Sequence, residues 1–209
     1  MKRLSTFYEI LIFSLIFLFC IVPPFFTKQI NQDDILFIWN FPFQQLSLCI
    51  FAVILYFFSK QLNINKKIFF PSILTLGILF TFELFFKFLF KLPESVVIKP
   101  QSFIQWIYCI LTFLFSAAYE EIIYRFYFPD ALLNILKNFS FDKKKSTKIL
   151  IEIVGTLVFA FAHLYLGIIS VINAALAHIV LRILYKKTNL IWNGVIIHFI
   201  YNVISLILL

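Results

Sequence analysis

Charge is what this chain lacks most. Asp, Glu, Lys and Arg make up 13% of its 209 residues, about half the share of an ordinary soluble domain. Intrinsic disorder needs low hydrophobicity and high charge, so it is excluded. Glycine is also scarce, with four residues, which rules out a collagen-like repeat. The three cysteines are too few for a disulfide scaffold. No long basic segment interleaved with aromatics exists, so nucleic acid is not an expected partner. Alternation of polar and apolar residues in segments of about ten is missing too, which argues against a membrane β-barrel.

What fills the chain is apolar mass. Hydrophobic residues reach 62%, thirty residues are Phe, and the mean hydropathy is +0.98. One globule of this length leaves too much surface to hide that content from water. The expected fold is all-α, a polytopic transmembrane helical bundle. A span needs roughly 20 apolar residues, and about seven candidates are legible, over 7–26, 40–59, 68–90, 103–128, 150–166, 168–185 and 190–208. A short turn near Tyr165, Leu166 and Gly167 predicts a tight hairpin between the fifth and sixth. Pro23-Pro24 is expected to end or kink the first span. Pro42, Pro71 and Pro129 fall near helix ends, where proline is tolerated.

Lys and Arg set the orientation. With the N-terminus cytoplasmic, Lys2, Arg3, Lys60, Lys66, Lys67, Lys137, Lys143, Lys144, Lys145, Lys148, Lys186 and Lys187 are inside, against Lys28, Lys91 and Lys99 outside. The net charge of +8 is thus chiefly a topology signal, and the bilayer is an expected partner. The basic loop at 138–148 is placed to meet anionic headgroups. Met1-Lys2-Arg3 before an apolar run has the look of a signal peptide, but no small-residue cleavage site follows, so an uncleaved span is expected. Cys20, Cys49 and Cys109 show no metal-like spacing and read as small apolar fillers.

The informative residues are the polar ones inside apolar runs, since an ionisable side chain there costs a few kcal/mol or more. Glu83 and Lys87 stand one helical turn apart and read as a structural pair. The rest fall late: Glu120, Glu121 and Arg125, then His163, His178, Arg182, His198 and Asn202. At about 1.5 Å per residue, Glu120 and His198 lie roughly 12 Å from the cytoplasmic face and His163 and Asn202 roughly 18 Å. Three non-adjacent helices thus place carboxylates, imidazoles and an amide in one layer, as a buried site or a water-lined transport path would require. A polar network that only glues helices together is the bland alternative. Glu121 and Arg125, one turn apart, can pair. Glu120, rotated by about 100°, then remains available as a base.

These residues spell Glu120-Glu121-x-x-x-Arg125, Phe159-x-x-x-His163 and His198-x-x-x-Asn202. In this order the pattern resembles the CPBP family, the CAAX-protease and bacteriocin-processing (ABI) intramembrane endopeptidases. The stretch Thr188-Asn189-Leu190-Ile191-Trp192-Asn193 resembles the family's last loop and helix start. The resemblance covers roughly 100–209, so residues 101–209 are expected to form the protease core and residues 1–100 to add only hydrophobic helices. It departs from the family at Asn173-Ala174-Ala175-Leu176-Ala177-His178, where small or Gly residues are often found and no Gly stands. His178 and Arg182 are outside the pattern, and a packed histidine is the expected reading of His178.

The resemblance implies that Glu120 activates a water, His163 orients it, and His198 and Asn202 donate to the oxyanion, with Glu121, Arg125 and Phe159 in support. The implied substrate is a membrane-associated peptide or protein, and the implied location the cell membrane of a prokaryote. Eukaryotic relatives trim prenylated C-termini, and prokaryotic ones are linked to bacteriocin maturation, immunity or peptide signalling. No Ser or Cys lies in the motifs, so covalent catalysis has no candidate. No cofactor is expected. Zinc held by one Glu and two His is the rival, weakened by the lack of a His-Glu-x-x-His helix. A small proton-coupled transporter and a catalytically silent scaffold are the alternative functions.

Overall fold

The computed structural model describes residues 6–22, 26, 39–59, 69–90, 99–140 and 145–208. Its elements, in chain order, are α1 (Thr6–Ile16), α2 (Phe43–Ser59), α3 (Phe69–Phe90), α4 (Phe103–Glu120), α5 (Phe128–Asn138), α6 (Lys145–Phe161), α7 (Ile168–Thr188) and α8 (Ile191–Leu208). No strand occurs among the described residues, so the all-α class holds. Three of the described helices are long and apolar enough to cross a bilayer: Phe69–Phe90, the continuous run Phe103–Asn138, and Ile168–Thr188. Shorter apolar helices cover Ile10–Phe19, Phe43–Phe57 and Ile191–Ile207. Large side chains such as Phe69, Phe88 and Phe103 stand exposed on these helices, an arrangement that lipid favours and water does not. Pro23-Pro24 and most of the topology residues (Lys2, Arg3, Lys28, Lys60, Lys66, Lys67, Lys91, Lys143 and Lys144) lie outside the described residues.

The chain packs as two compact units. One draws on the described parts of Met1–Gln29 and on Ile123–His178, the other on those of Ile30–Ile122 and Ile179–Leu209. In the second unit α4 packs on α2 and α8, and α3 packs on α8. Ala117 and Ala118 on α4 are buried against Val195 on α8, with Cys49, Trp192 and Phe199 around them. Residues this small let two helices approach closely, which is how association proceeds where lipid removes the hydrophobic drive. Cys109 is buried with Trp39 and Leu206, so Cys49 and Cys109 are the fillers they were read as. The side chain of Cys20 lies outside the described residues. In the first unit α5 packs on α1 and α6, with Phe13 and Phe128 in ring contact at 5.5 Å.

Two helix bounds differ from expectation. The fourth candidate span was read as ending near Phe128, and the helix runs on to Asn138. Between Glu121 and Tyr127 it winds as a π-helix, whose i→i+5 bonding takes in more residues per turn. Pro129, which has no N–H to give the preceding turn, falls just after this change of register, at the start of α5. The helix therefore changes pitch there and does not stop. The other difference concerns His163, placed by sequence inside the fifth span. That helix ends at Phe161, and His163 stands in the turn beyond it, ahead of a 3-10 turn over Leu164–Leu166. The connection to α7 is short, as expected, and closes on Gly167 at φ 95° and ψ 167°.

The start of α4 is built by side chains. Ser102 Oγ accepts from the Gln105 N–H at 3.3 Å, and Gln105 Oε1 accepts from the Gln101 N–H at 2.8 Å. This is a capping-box arrangement shifted by one residue.

The backbone at Gly167 is open in practice only to glycine. Gly167→Ala is expected to cost about 1–3 kcal/mol, read as a lower unfolding midpoint in micelles. Gly77→Ala on α3, where a Cβ meets nothing within 4 Å, is expected to leave the midpoint unchanged or raise it.

Candidate active site

Glu120 and Glu121 stand where α4 gives way to the π-helical segment. Glu121 is fully buried, and the Glu120 side chain is 21% exposed. Burial of a carboxylate in an apolar span is tolerable only with a polar partner, and α8 supplies one. His198 Nδ1 lies 2.9 Å from Glu121 Oε1. With Glu121 ionised only the imidazole can donate, so Nδ1 carries the proton. That bond turns Nε2 toward the other carboxylate, and His198 Nε2 lies 4.0 Å from Glu120 Oε2. The distance is too long for a direct hydrogen bond. Glu120 Oε2 is buried and accepts no hydrogen bond from the described residues. Asn202 follows His198 by one turn on α8 and is half-buried.

Gly194 makes the Glu121–His198 bond possible. It sits one turn before His198 on α8, and a Cβ there would lie 2.8 Å from Glu121 Oε2 and 3.4 Å from its Cδ. The carboxylate occupies the space that any larger residue would claim. Sequence reasoning missed Gly194. The available signal was a rare glycine on the His198 row, inside an otherwise bulky apolar helix.

The other candidates gather in the first unit, around Phe159. This ring, buried on α6, meets Tyr124 at 5.2 Å between centroids, His163 at 4.7 Å and His178 at 5.2 Å. The Arg125 guanidinium lies 3.9 Å from its centre. A cation over an aromatic face gains about 2 kcal/mol when desolvated, and Arg125 is fully buried. Phe159 thus does more than share a face with His163, since it also carries the arginine. His163 Nδ1 lies 2.9 Å from the Phe159 carbonyl oxygen. A carbonyl only accepts, so Nδ1 holds the proton, and neutral His163 offers Nε2 as an acceptor. The same bond satisfies one of the last carbonyls of α6.

His178 packs on Phe159 and faces Gly155, with its Nε2 3.9 Å from where a Cβ of that residue would stand. It is a buried, packed histidine, as expected. Arg182 lies 5.5 Å from the Tyr185 ring centre. Beyond the spacing that lets Glu121 and Arg125 pair, each has a partner on another helix: Glu121 meets His198, and Arg125 stacks on Phe159. Glu83 also reaches further than the expected pair with Lys87, since its Oε2 accepts from Ser205 Oγ on α8 at 2.6 Å.

Apolar helices with ionisable side chains buried between them are those of an integral membrane protein. The model of the type II CAAX prenyl endopeptidase, Rce1-like family matches residues 102–204. That stretch holds all three motifs, and residues 102–204 are similar to this family within the wider CPBP group. At family level the protein is thus a CAAX-type intramembrane protease, whose class acts on membrane-associated protein substrates. Comparison with curated proteins gave no match, and neither did comparison with solved structures.

Gly194→Val is expected to push the Glu121 carboxylate off His198 and to lower peptide cleavage at least tenfold, about the worth of one charge-assisted bond. Gly194→Ala, which asks for a smaller shift of a flexible side chain, is expected to lose less. Cleavage of a membrane peptide by both variants, with helicity checked by circular dichroism, measures the difference.

Proposed function

We propose that the protein is a metal-independent glutamic endopeptidase that cuts a membrane-associated peptide or protein, in the cell membrane of a prokaryote. The observation that carries this reading is the buried, unbonded Glu120 Oε2 at 4.0 Å from His198 Nε2. One group bound between a base and a donor could touch both. When the tetrahedral intermediate forms, the oxygen of a water held by Glu120 joins the carbon that already bears the carbonyl oxygen held by His198. Two partners of that kind therefore need to stand close together without bonding each other.

In the proposed reaction Glu120 takes a proton as the water oxygen bonds to the carbonyl carbon. The π electrons of the carbonyl move to its oxygen. His198, doubly protonated and held by Glu121, donates from Nε2 to that oxyanion, and Asn202 adds a second donor. A fixed donor in a dry site contributes most where charge develops. The intermediate then collapses, the C–N bond breaks, and Glu120 returns its proton to the leaving amine. His163 would accept a hydrogen bond from the attacking water through Nε2, the nitrogen left free by the bond to the Phe159 carbonyl. Its role rests on its motif and that tautomer. Arg125 and Phe159 would hold the turn that presents His163.

The metal-free character is part of the proposal. A zinc site needs at least three side-chain donors in one group. Among the described residues no three His, Cys, Asp or Glu stand grouped in that way. Glu121 also engages the Nδ1 of His198, so only Nε2 remains open.

The test is cleavage of membrane peptides by purified protein. Glu120→Gln keeps the shape and removes the base, and it is expected to lose about 10²–10⁴-fold in rate. Equal cleavage by wild type and variant would remove Glu120 from the mechanism. A chelator is expected to leave the rate unchanged, and a loss restored by added zinc would overturn the metal-free reading. Wild type that cuts no peptide across a panel of prenylated and unmodified membrane substrates would point to a silent scaffold.

A further inference from the structure

Helix α8 carries its polar residues on two adjacent rows. Gly194, His198 and Asn202 follow one another at four-residue steps, and so do Asn193, Ile197, Tyr201 and Ser205. Residues four apart stack along a helix face, and neighbouring rows differ by about 100°. Through the first row Gly194 and His198 meet Glu121, the residue that follows α4. The second row meets α3, and the contacts there are polar at both ends. Ser72 Oγ donates to Asn193 Oδ1 at 2.9 Å. Ser205 Oγ donates to Glu83 Oε2 at 2.6 Å, and the Tyr201 side chain also hydrogen-bonds Glu83. Between them Phe80 and Tyr201 touch at 5.4 Å between ring centres.

Residue numbers rise together along both helices, so α3 and α8 run parallel. The end contacts lie about 17 Å apart along the axis, at about 1.5 Å per residue. A single contact lets a helix pivot. Two contacts at that separation fix its tilt and its rotation, and in lipid such bonds outlast apolar contacts, which slide at little cost. Rotation is the variable that matters, because a turn of α8 toward its other row would carry His198 away from Glu121.

We propose that Glu83 with Ser205, and Ser72 with Asn193, form a two-point lock by which α3 sets the rotation of α8, making Glu83 a positioning residue for His198 and Asn202. The catalytic consequence rests on the proposed peptidase reading, while the lock itself does not. Helix α3 then becomes part of the machinery, although the first hundred residues read from sequence as hydrophobic spans only.

Two readouts test the lock. Protein labelled with ¹⁵N at its three histidines reports the Nδ1 proton of His198, which is bonded to Glu121 in wild type. Glu83→Leu is expected to shift that nitrogen signal and speed exchange of its proton with water. It is also expected to lower kcat about tenfold with little change in KM. Glu83→Gln, which still offers Ser205 an acceptor oxygen, is expected to keep both the signal and most of the rate. Ser205→Ala is expected to reproduce Glu83→Leu, and the double variant to be no worse than either alone. An unchanged His198 signal in folded Glu83→Leu would overturn the lock. Should that variant fail to fold, Ser205→Ala decides by the same signal. If wild type cleaves no peptide, the peptidase reading falls, and the His198 signal still decides the lock.

Discussion

The contact between Glu121 and His198 is the constraint that the rest of the second unit answers to. A carboxylate with no exposure to solvent is costly in an apolar span, and an imidazole at 2.9 Å offsets that cost only while both groups hold their places. Helix α4 meets α8 through Ala117 and Ala118 because larger side chains would hold the two carboxylates off. Gly194 is bare because the carboxylate stands where a Cβ would be. Helix α3 bonds α8 at two points because one row of α8 must keep facing Glu121. Each feature is minor alone, and together they leave one oxygen of Glu120 buried, unbonded and near a donor.

The first unit solves a related problem by a different means. Arg125 is as fully buried as Glu121, and an aromatic face stands beneath it. Phe159 supports the guanidinium, packs on two histidines, and lends its own carbonyl to the Nδ1 of His163. A single apolar residue thereby sets a charge and a tautomer. The π-helical segment belongs to the same economy of means. It changes the pitch between Glu121 and Tyr127 and carries the helix into α5 despite Pro129. Irregular helical turns of this kind occur often at functional sites, and here one lies inside the Glu120-Glu121-x-x-x-Arg125 motif.

Much of this was legible in the sequence because lipid is an unforgiving solvent. An apolar run of twenty residues has few structural choices, and a Glu or His inside one needs a reason to be there. Composition and the scarcity of charge thus determined the all-α membrane class. The spacing of Glu120, Glu121 and Arg125, of Phe159 and His163, and of His198 and Asn202 singled out the residues worth attention and the family to which 102–204 is similar. Partnership was beyond reach, because it is set by distances across helices and by helical register. Sequence spacing pairs Glu121 with Arg125 and Glu83 with Lys87, since a regular α-helix puts residues four apart on one face. Only the tertiary structure gave Glu121 to His198, Arg125 to Phe159 and Glu83 to Ser205. It did so by the close approach of helices far apart in sequence, among them α8, whose small and short polar residues carry almost no signal until another helix lies against them.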